Sequence, residues 1–231
     1  MSADALRMDE RLFEHNHLGR LAATGWISGE ADEADETRLS AAILGIASGL
    51  GEVIPGRGRQ EVERIVPQSA VSSYRGSLSS LHGLAPLPLH TDTAHWPVPC
   101  RYLVMACVDP GSLPAPTVLL DTRAIHLTRE QRDASLSAVF LIRNGRKSFY
   151  GTISSAGRPF IRFDLGCMEG QSDACSTAVS GYTGRTSTSR TTSCEWTPGK
   201  VLVIDNWRML HGRGVDGETL PGRVLLRVMV R

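Results

Sequence analysis

The sequence predicts a mainly β chain with flanking helices, folded as a double-sheet jelly roll (a double-stranded β-helix). Three observations carry this. Short β-branched or aliphatic runs bounded by Gly, Pro, Asp or Asn recur along the chain. One stretch alone combines helical periodicity with length. The runs are irregularly spaced and unlike one another, which disfavours propellers and solenoids and leaves the two-sheet roll.

The helical stretch is ETRLSAAILGIASGL, residues 36–50. It places Leu39, Ala42, Ile43, Ile46 and Leu50 on one face, with Asp35 as a cap and Gly51 as a stop. The period then changes to that of strands: GEVIPGR, EVERIVP, RYLVMACVDP, TVLLDT, SAVFLIRN, RPFIRFD, GKVLVIDN and RVLLRVMVR. Residues 72–88 and 169–193 read as irregular. The second is rich in Ser, Thr and Gly and too polar to bury, so it is expected to be a solvated loop or a lid.

No low-complexity linker divides the 231 residues, so residues 1–231 are expected to form a single domain. A chain of this size removes roughly 70% of its unfolded surface from water on folding and needs neither metal nor disulfides to do so. Any metal is therefore expected to be functional. Lys and Arg total 25 against 24 acids, a net charge of +1 with no basic stripe, which argues against a nucleic-acid partner. Five cysteines, Cys100, Cys107, Cys167, Cys175 and Cys194, form an odd set without C-x-x-C spacing, the pattern of buried free thiols in a reducing compartment. The first 25 residues lack a signal-peptide core and no run of about 18 apolar residues follows, so the expectation is a cytoplasmic protein with no membrane partner.

The chemistry concentrates in PLPLHTD. In an extended chain residues i and i+2 project from one face, so His90 and Asp92 can reach one ion. A third ligand must come from elsewhere, and DNWRMLHGR supplies His211 after the strand VLVID. Two imidazoles and one carboxylate on one face of a metal leave open positions, the donor set of non-haem Fe(II) oxygenases.

The surrounding blocks are more specific. PLPLHTDTAHWPVPCRYLVMACV and WTPGKVLVIDNWRMLHGR, with PTVLLD and the terminal LPGRVLLR, resemble the taurine dioxygenase-like superfamily, which includes clavaminate synthase and gamma-butyrobetaine hydroxylase. The likeness covers most of residues 72–127 and 194–231 and is loose elsewhere. It implies Fe(II) held by His90, Asp92 and His211, with 2-oxoglutarate and dioxygen as co-substrates. It also implies that Arg223 and Thr117 hold the distal carboxylate of 2-oxoglutarate, a task suited to the planar arginine fork.

Alternation on the last strand places Arg223, Leu225, Arg227 and Met229 on one face. At ~13 Å from Arg223, Arg227 cannot grip the same carboxylate tightly, and it is expected to meet an anionic group of the primary substrate or to snorkel at the sheet's end. His95 and Trp96, just after the metal motif, line the substrate pocket or form a packed turn. Tyr74 and His82, just before it, are candidate substrate contacts. Asn206 and Arg208 are expected to support His211. Arg213 is a competitor of Arg223 for the co-substrate, while His15, His17 and His126 have no partner at ligand spacing. Asp109, Asp121 and Asp164 read as turn or strand-end residues.

The resemblance thus implies hydroxylation of an unactivated C–H bond of a small molecule, with 2-oxoglutarate decarboxylated to succinate. Desaturation, epimerisation and cyclisation share this ligand set. Asp92 argues against halogenation, because family halogenases carry a small residue at this place. The alternatives are a metal-binding jelly-roll sensor without turnover and a cupin-type metal enzyme that does not use 2-oxoglutarate. Neither the primary substrate nor the oligomeric state can be read from the sequence.

Overall fold

The computed structural model describes residues 16–31, 35–56, 58–73, 77–113, 115–183, 191–214 and 222–231. Among the described residues the strands form three antiparallel sheets. The largest joins β1 (Trp26–Glu30), β2 (Val53–Ile54), β3 (Glu63–Ile65), β5 (Tyr102–Asp109), β11 (Lys200–Asp205) and β13 (Val224–Val230). Its order is β1-β11-β5-β13-β2, with β3 also paired to β13. A second sheet runs β10 (Thr192–Cys194), β6 (Thr117–Asp121), β12 (Met209–Arg213), β4 (Leu87–His90). A small third sheet sets β7 (Phe140–Ile142) between β8 (Phe149–Gly151) and β9 (Met168–Glu169).

The large sheet is buried on both faces, which is why its strands read as nearly continuous apolar runs. Val104, Ala106, Val201, Val203, Leu226 and Val228 point to one side, where α1 (Asn16–Thr24) and α2 (Glu36–Leu50) lie. Leu103, Cys107, Leu202, Ile204, Leu225 and Met229 alternate to the other and meet Leu119, Cys194 and Met209 of the second sheet. The α2 helix forms as its spacing predicts: Asp35 Oδ1 accepts from the Arg38 amide at 3.0 Å, the Gly51 amide donates to Ala47, and Leu39, Ile43, Ile46 and Ala47 are buried. Truncating Ile43 to Ala at this contact is expected to cost about 2–5 kcal/mol.

The outer face of the second sheet is covered by elements that the periodicity did not reveal. α4 (Arg129–Ser137) and α5 (Asp173–Thr183) pack with the third sheet around Phe140, Ile142, Phe163, Ala178, Tyr182 and Leu210. Much of the 169–193 stretch is therefore helix and core: Cys175, Ala178 and Tyr182 recur at helical spacing and are buried. A short α3 (Leu78–His82) likewise interrupts the 72–88 stretch. RPFIRFD is not a ladder strand. Its backbone changes partner at each residue, Ile161 donating to Trp207, Arg162 to Ile153, and Phe163 O accepting from Thr91. All five cysteines are free and buried, and burial pushes the Cys100 thiol up to about 12 and Cys107 to about 11. No helix of the described residues is long and apolar enough to cross a membrane.

Candidate metal centre

β4 and β12 bring the two histidines together directly: His90 and His211 are cross-strand partners, with ring centroids 4.6 Å apart. Close pairing requires glycine beside His211, since a Cβ on Gly212 would stand 2.5 Å from the Leu87 carbonyl oxygen. Asp92 lies two residues beyond His90, with Oδ1 3.4 Å from His90 Nε2 and Oδ2 3.9 Å from His211 Nε2. One donor atom from each of the three falls within 4.8 Å of the others. His90 Nδ1 is 2.9 Å from the Pro88 carbonyl oxygen. A carbonyl only accepts, so Nδ1 carries a proton and Nε2 is the ring nitrogen that faces the cluster. Burial lowers the His90 pKa, but the hydrogen bond and charge of Asp92 outweigh it and raise it, so in the metal-free protein Nε2 shares a proton with Asp92 that a metal would displace. Two imidazole nitrogens and a carboxylate gathered on one side of a cavity fit a hard-to-borderline divalent ion such as Fe(II).

The backbone around Asp92 is held from two directions. Asn206, 1% exposed, accepts from the Asp92 amide at 2.9 Å and donates to the Asp92 and Cys100 carbonyls at 3.1 and 2.8 Å. Thr91 donates to the Ile161 carbonyl at 3.0 Å and accepts from the Phe163 amide at 3.2 Å. Burial alone would raise the Asp92 carboxyl, but Arg227, the His90 hydrogen bond and His211 outweigh it and hold the group well below the ordinary carboxylate range. Burial, with the charges of His90 and Arg227, pushes His211 down to about 3. His211 is thus neutral and Asp92 ionised, the states a metal ligand needs.

The three donors open onto a cavity of about 130 Å³, whose other walls include Ile65, Met105, Thr117, Arg213, Arg223 and Arg227. Arg223 and Arg227 share this cavity as alternation predicts, even though Arg223 precedes β13 and the register shifts between Val224 and Leu225. Their electrostatics differ. Arg227 donates to Asp92 Oδ2 at 2.7 Å and to Glu63 Oε2 at 2.7 Å, so its charge is balanced twice. Glu63 reaches this position across Gly56, where any Cβ would collide with its side chain. Arg223 is 7% exposed and forms no ion pair with a described carboxylate, and its Nε has no hydrogen-bond partner. Burial and the neighbouring Arg213 push its pKa down to about 10, still protonated at neutral pH. Thr117 Oγ1 accepts from Trp196 Nε1 at 3.0 Å. An indole only donates, so the Thr117 proton stays free for another acceptor.

Arg213 also lines the cavity, but its Nε donates to Ala85 at 3.1 Å and its Nη2 to Gly83 at 2.6 Å and to Ala85. The cavity walls do not include His82, His95 or Trp96 among the described residues, although Ser79 of the His82 helix is there. His95 and Trp96 pack edge to face at 5.9 Å. Tyr74 lies outside the described residues. Arg208 stands away from the histidine it was expected to support, pairing with Asp121 at 2.5 Å and donating to the Ala22 and Ala23 carbonyls at the end of α1. Glu63, Trp196 and Thr93 were not singled out from the sequence. Trp196 and Thr93 lie inside the blocks that carry the resemblance but give no signal of their own there; each of the three becomes relevant only through a partner more than 70 residues away or through a backbone angle.

No family model matches the chain. An L-lysine 3-hydroxylase from Catenulispora acidiphila is 29% identical over 174 residues, covering 67% of this chain; the match spans about half, 47%, of that relative's length. Solved structures align over nearly the whole chain. Asparagine oxygenase in complex with Fe(II), 3-hydroxyasparagine and succinate matches with TM-score 0.72 at 18% identity, over 99% of this chain and 84% of its own. The non-haem iron oxygenase OrfP with Fe and alpha-ketoglutaric acid matches with TM-score 0.73 at 20% identity, over 98% and 81%. OrfP with Fe, succinate and (3S)-hydroxy-L-Arg gives 0.69 at 19%, over 99% and 85%. The chain therefore has the fold of the taurine dioxygenase-like non-haem Fe(II)/2-oxoglutarate oxygenases, the family that its sequence resembles.

Proposed function

We propose that this chain is an Fe(II)/2-oxoglutarate-dependent oxygenase that hydroxylates an amino acid or a close derivative. The observation that carries the reading is one cavity with His90, Asp92 and His211 on its wall and, on the same wall system, a buried guanidinium, Arg223, without a carboxylate partner among the described residues. In this reading His90, Asp92 and His211 hold Fe(II), while Arg223 and the free Thr117 proton bind the distal carboxylate of 2-oxoglutarate. An unpaired buried cation favours an anion strongly, because binding removes its desolvation penalty as well as forming the hydrogen bonds.

Iron with 2-oxoglutarate and dioxygen supplies an oxidant that takes hydrogen from an unactivated C–H bond, 2-oxoglutarate leaving as succinate and carbon dioxide. The chain's own part is placement. Asn206 and Thr91 fix the Asp92 backbone, Trp196 orients Thr117, and Ile65, Leu87, Met105 and Leu225 keep the cavity wall apolar. Arg227 lines the cavity beside Asp92, where its guanidinium is the group placed to meet the carboxylate of an amino acid. The lysine, asparagine and arginine chemistry named for the relatives supports that substrate class.

The packing of the β10-β6-β12-β4 sheet on the large sheet through Leu103, Leu119 and Leu225 supports the double-stranded β-helix reading. We further propose that residues 1–231 act as one oxygenase domain on a small molecule, in the cytoplasm. The test is anaerobic reconstitution with Fe(II) and 2-oxoglutarate, then exposure to air with a panel of free amino acids including lysine, arginine and asparagine. Succinate release stimulated by one of them is expected; release that no amino acid stimulates removes the substrate class.

A further inference from the structure

Arg162 heads the fully buried side chains by volume, with 0% exposure, and it meets no carboxylate among the described residues. Its Nη1 donates to the Ala94 carbonyl and, at 2.6 Å, to that of Trp96, and Nη2 donates to Pro97 at 2.8 Å. The Phe149 and Phe160 rings lie 5.0 and 5.4 Å from Cζ. Burying an unpaired cation opposes folding unless other groups compensate, and here the compensation is three carbonyls of a single turn and two ring faces. That turn is the one leaving Asp92.

The first residue of the turn is strained. Thr93 has φ 55°, a left-handed conformation that a β-branched residue strongly disfavours. Its Oγ1 accepts from the Cys100 amide at 2.7 Å, closing the turn from inside. On the other side of Asp92, Thr91 is hydrogen-bonded to Ile161 and Phe163, the two neighbours of Arg162. The 161–163 segment therefore grips the chain both before and after Asp92: by its backbone at Thr91, and by the Arg162 side chain at residues 94–97.

We infer that Arg162 is a positioning residue, which holds the 94–97 turn, keeps Thr93 left-handed through it, and so aims the Asp92 carboxylate at His90 and His211 before metal binds. The inference rests on the reading of Asp92 as a metal ligand. Arginine suits the task because its planar fork spans three converging acceptors, whereas an ammonium is a single point. Strain at a ligand's neighbour is maintained only where the surroundings over-determine it, and a guanidinium buried against that turn does so.

The test titrates Co(II), as a spectroscopic stand-in for Fe(II), into the metal-free protein and follows the ligand-field absorption, with circular dichroism reporting the fold. Arg162→Lys should fold and bind Co(II) about 10- to 100-fold more weakly, the effect typical of removing a group that orients a ligand. Asparagine adopts the left-handed region far more readily than threonine and offers the Cys100 amide an acceptor, so adding Thr93→Asn should restore most of that affinity. Arg162→Lys binding Co(II) within about twofold of wild type, or a double variant as weak as Arg162→Lys alone, overturns the inference. Asp92→Ala with undiminished Co(II) affinity overturns instead the ligand reading beneath it. Should Arg162→Lys fail to fold, Thr93→Asn alone decides: with Arg162 in place, relieving the strain raises Tm by roughly 2–4 °C without changing Co(II) affinity, and an unchanged or lowered Tm overturns the strain at Thr93 and with it the inference.

Discussion

Arg223→Ala separates the proposed co-substrate site from the metal site. Arg223 is 7% exposed, has no carboxylate partner among the described residues, and is pushed further from its ordinary pKa by Arg213. A two-pronged, charge-assisted contact made in such a place costs about 2–5 kcal/mol when one partner is deleted, or about 30-fold to several-thousand-fold in affinity. Arg223→Lys should recover only part of this, since the ammonium lacks the fork. Titrating 2-oxoglutarate into anaerobic Fe(II) protein and following the metal-to-ligand charge-transfer band measures Kd directly. The same burial makes an opposite prediction for the free protein. Arg223→Met replaces an uncompensated buried cation with an apolar chain and should raise Tm while it weakens 2-oxoglutarate binding. Unchanged 2-oxoglutarate affinity in Arg223→Ala refutes the assignment; a large loss in Arg213→Ala instead would transfer the role.

His90→Ala, Asp92→Ala and His211→Ala should each abolish turnover and weaken metal binding yet remain folded by circular dichroism, because the site has three donors and no spare one among the described residues. Trp196→Phe removes the indole N–H that fixes Thr117, and should raise the Kd for 2-oxoglutarate by several-fold, about 1 kcal/mol, with no further loss when Thr117→Val is added. Asp121 is tied to Arg208 at 2.5 Å and, although burial opposes it, the Arg208 hydrogen bond and charge hold its carboxyl below the ordinary range. Its folded pKa lies below the unfolded one, so its contribution is present above about pH 4 and is lost as pH falls through the folded value. Asp121→Asn should therefore lower Tm at neutral pH and show a shallower Tm decline below about pH 4 than wild type; parallel acid limbs would refute the linkage.

That His90, Asp92 and His211 come together was legible because the geometry is local or nearly so: His90 and Asp92 obey strand alternation, and His211 follows the apolar strand VLVID. The α2 helix was legible for the same reason, with cap, stop and apolar face all in one window. α4 was not read, since REQRDASLS buries only Ala134 and Ser135, although its Thr128–Gln131 capping box is a sequence signal. α5 was hidden by small polar residues, its Cys175, Ala178 and Tyr182 stripe looking like loop composition. RPFIRFD reads as a strand because alternation reports an extended chain and says nothing of whether its hydrogen bonds go to one neighbour or to several. Arg227 shows a further limit. Alternation placed it on the cavity face, but its pairing with Glu63 depends on β3 lying beside β13, a contact across 164 residues.

The central claim, that the cavity supports coupled oxidation of 2-oxoglutarate and an amino acid, is tested most directly by isotope. Wild-type protein with Fe(II), 2-oxoglutarate and its stimulating amino acid would be turned over under ¹⁸O₂ and the products weighed by mass spectrometry. The account predicts ¹⁸O in succinate and in the new hydroxyl group of the amino acid, with neither formed by His211→Ala. Unlabelled succinate, or an amino acid left unchanged while 2-oxoglutarate is untouched, would contradict it.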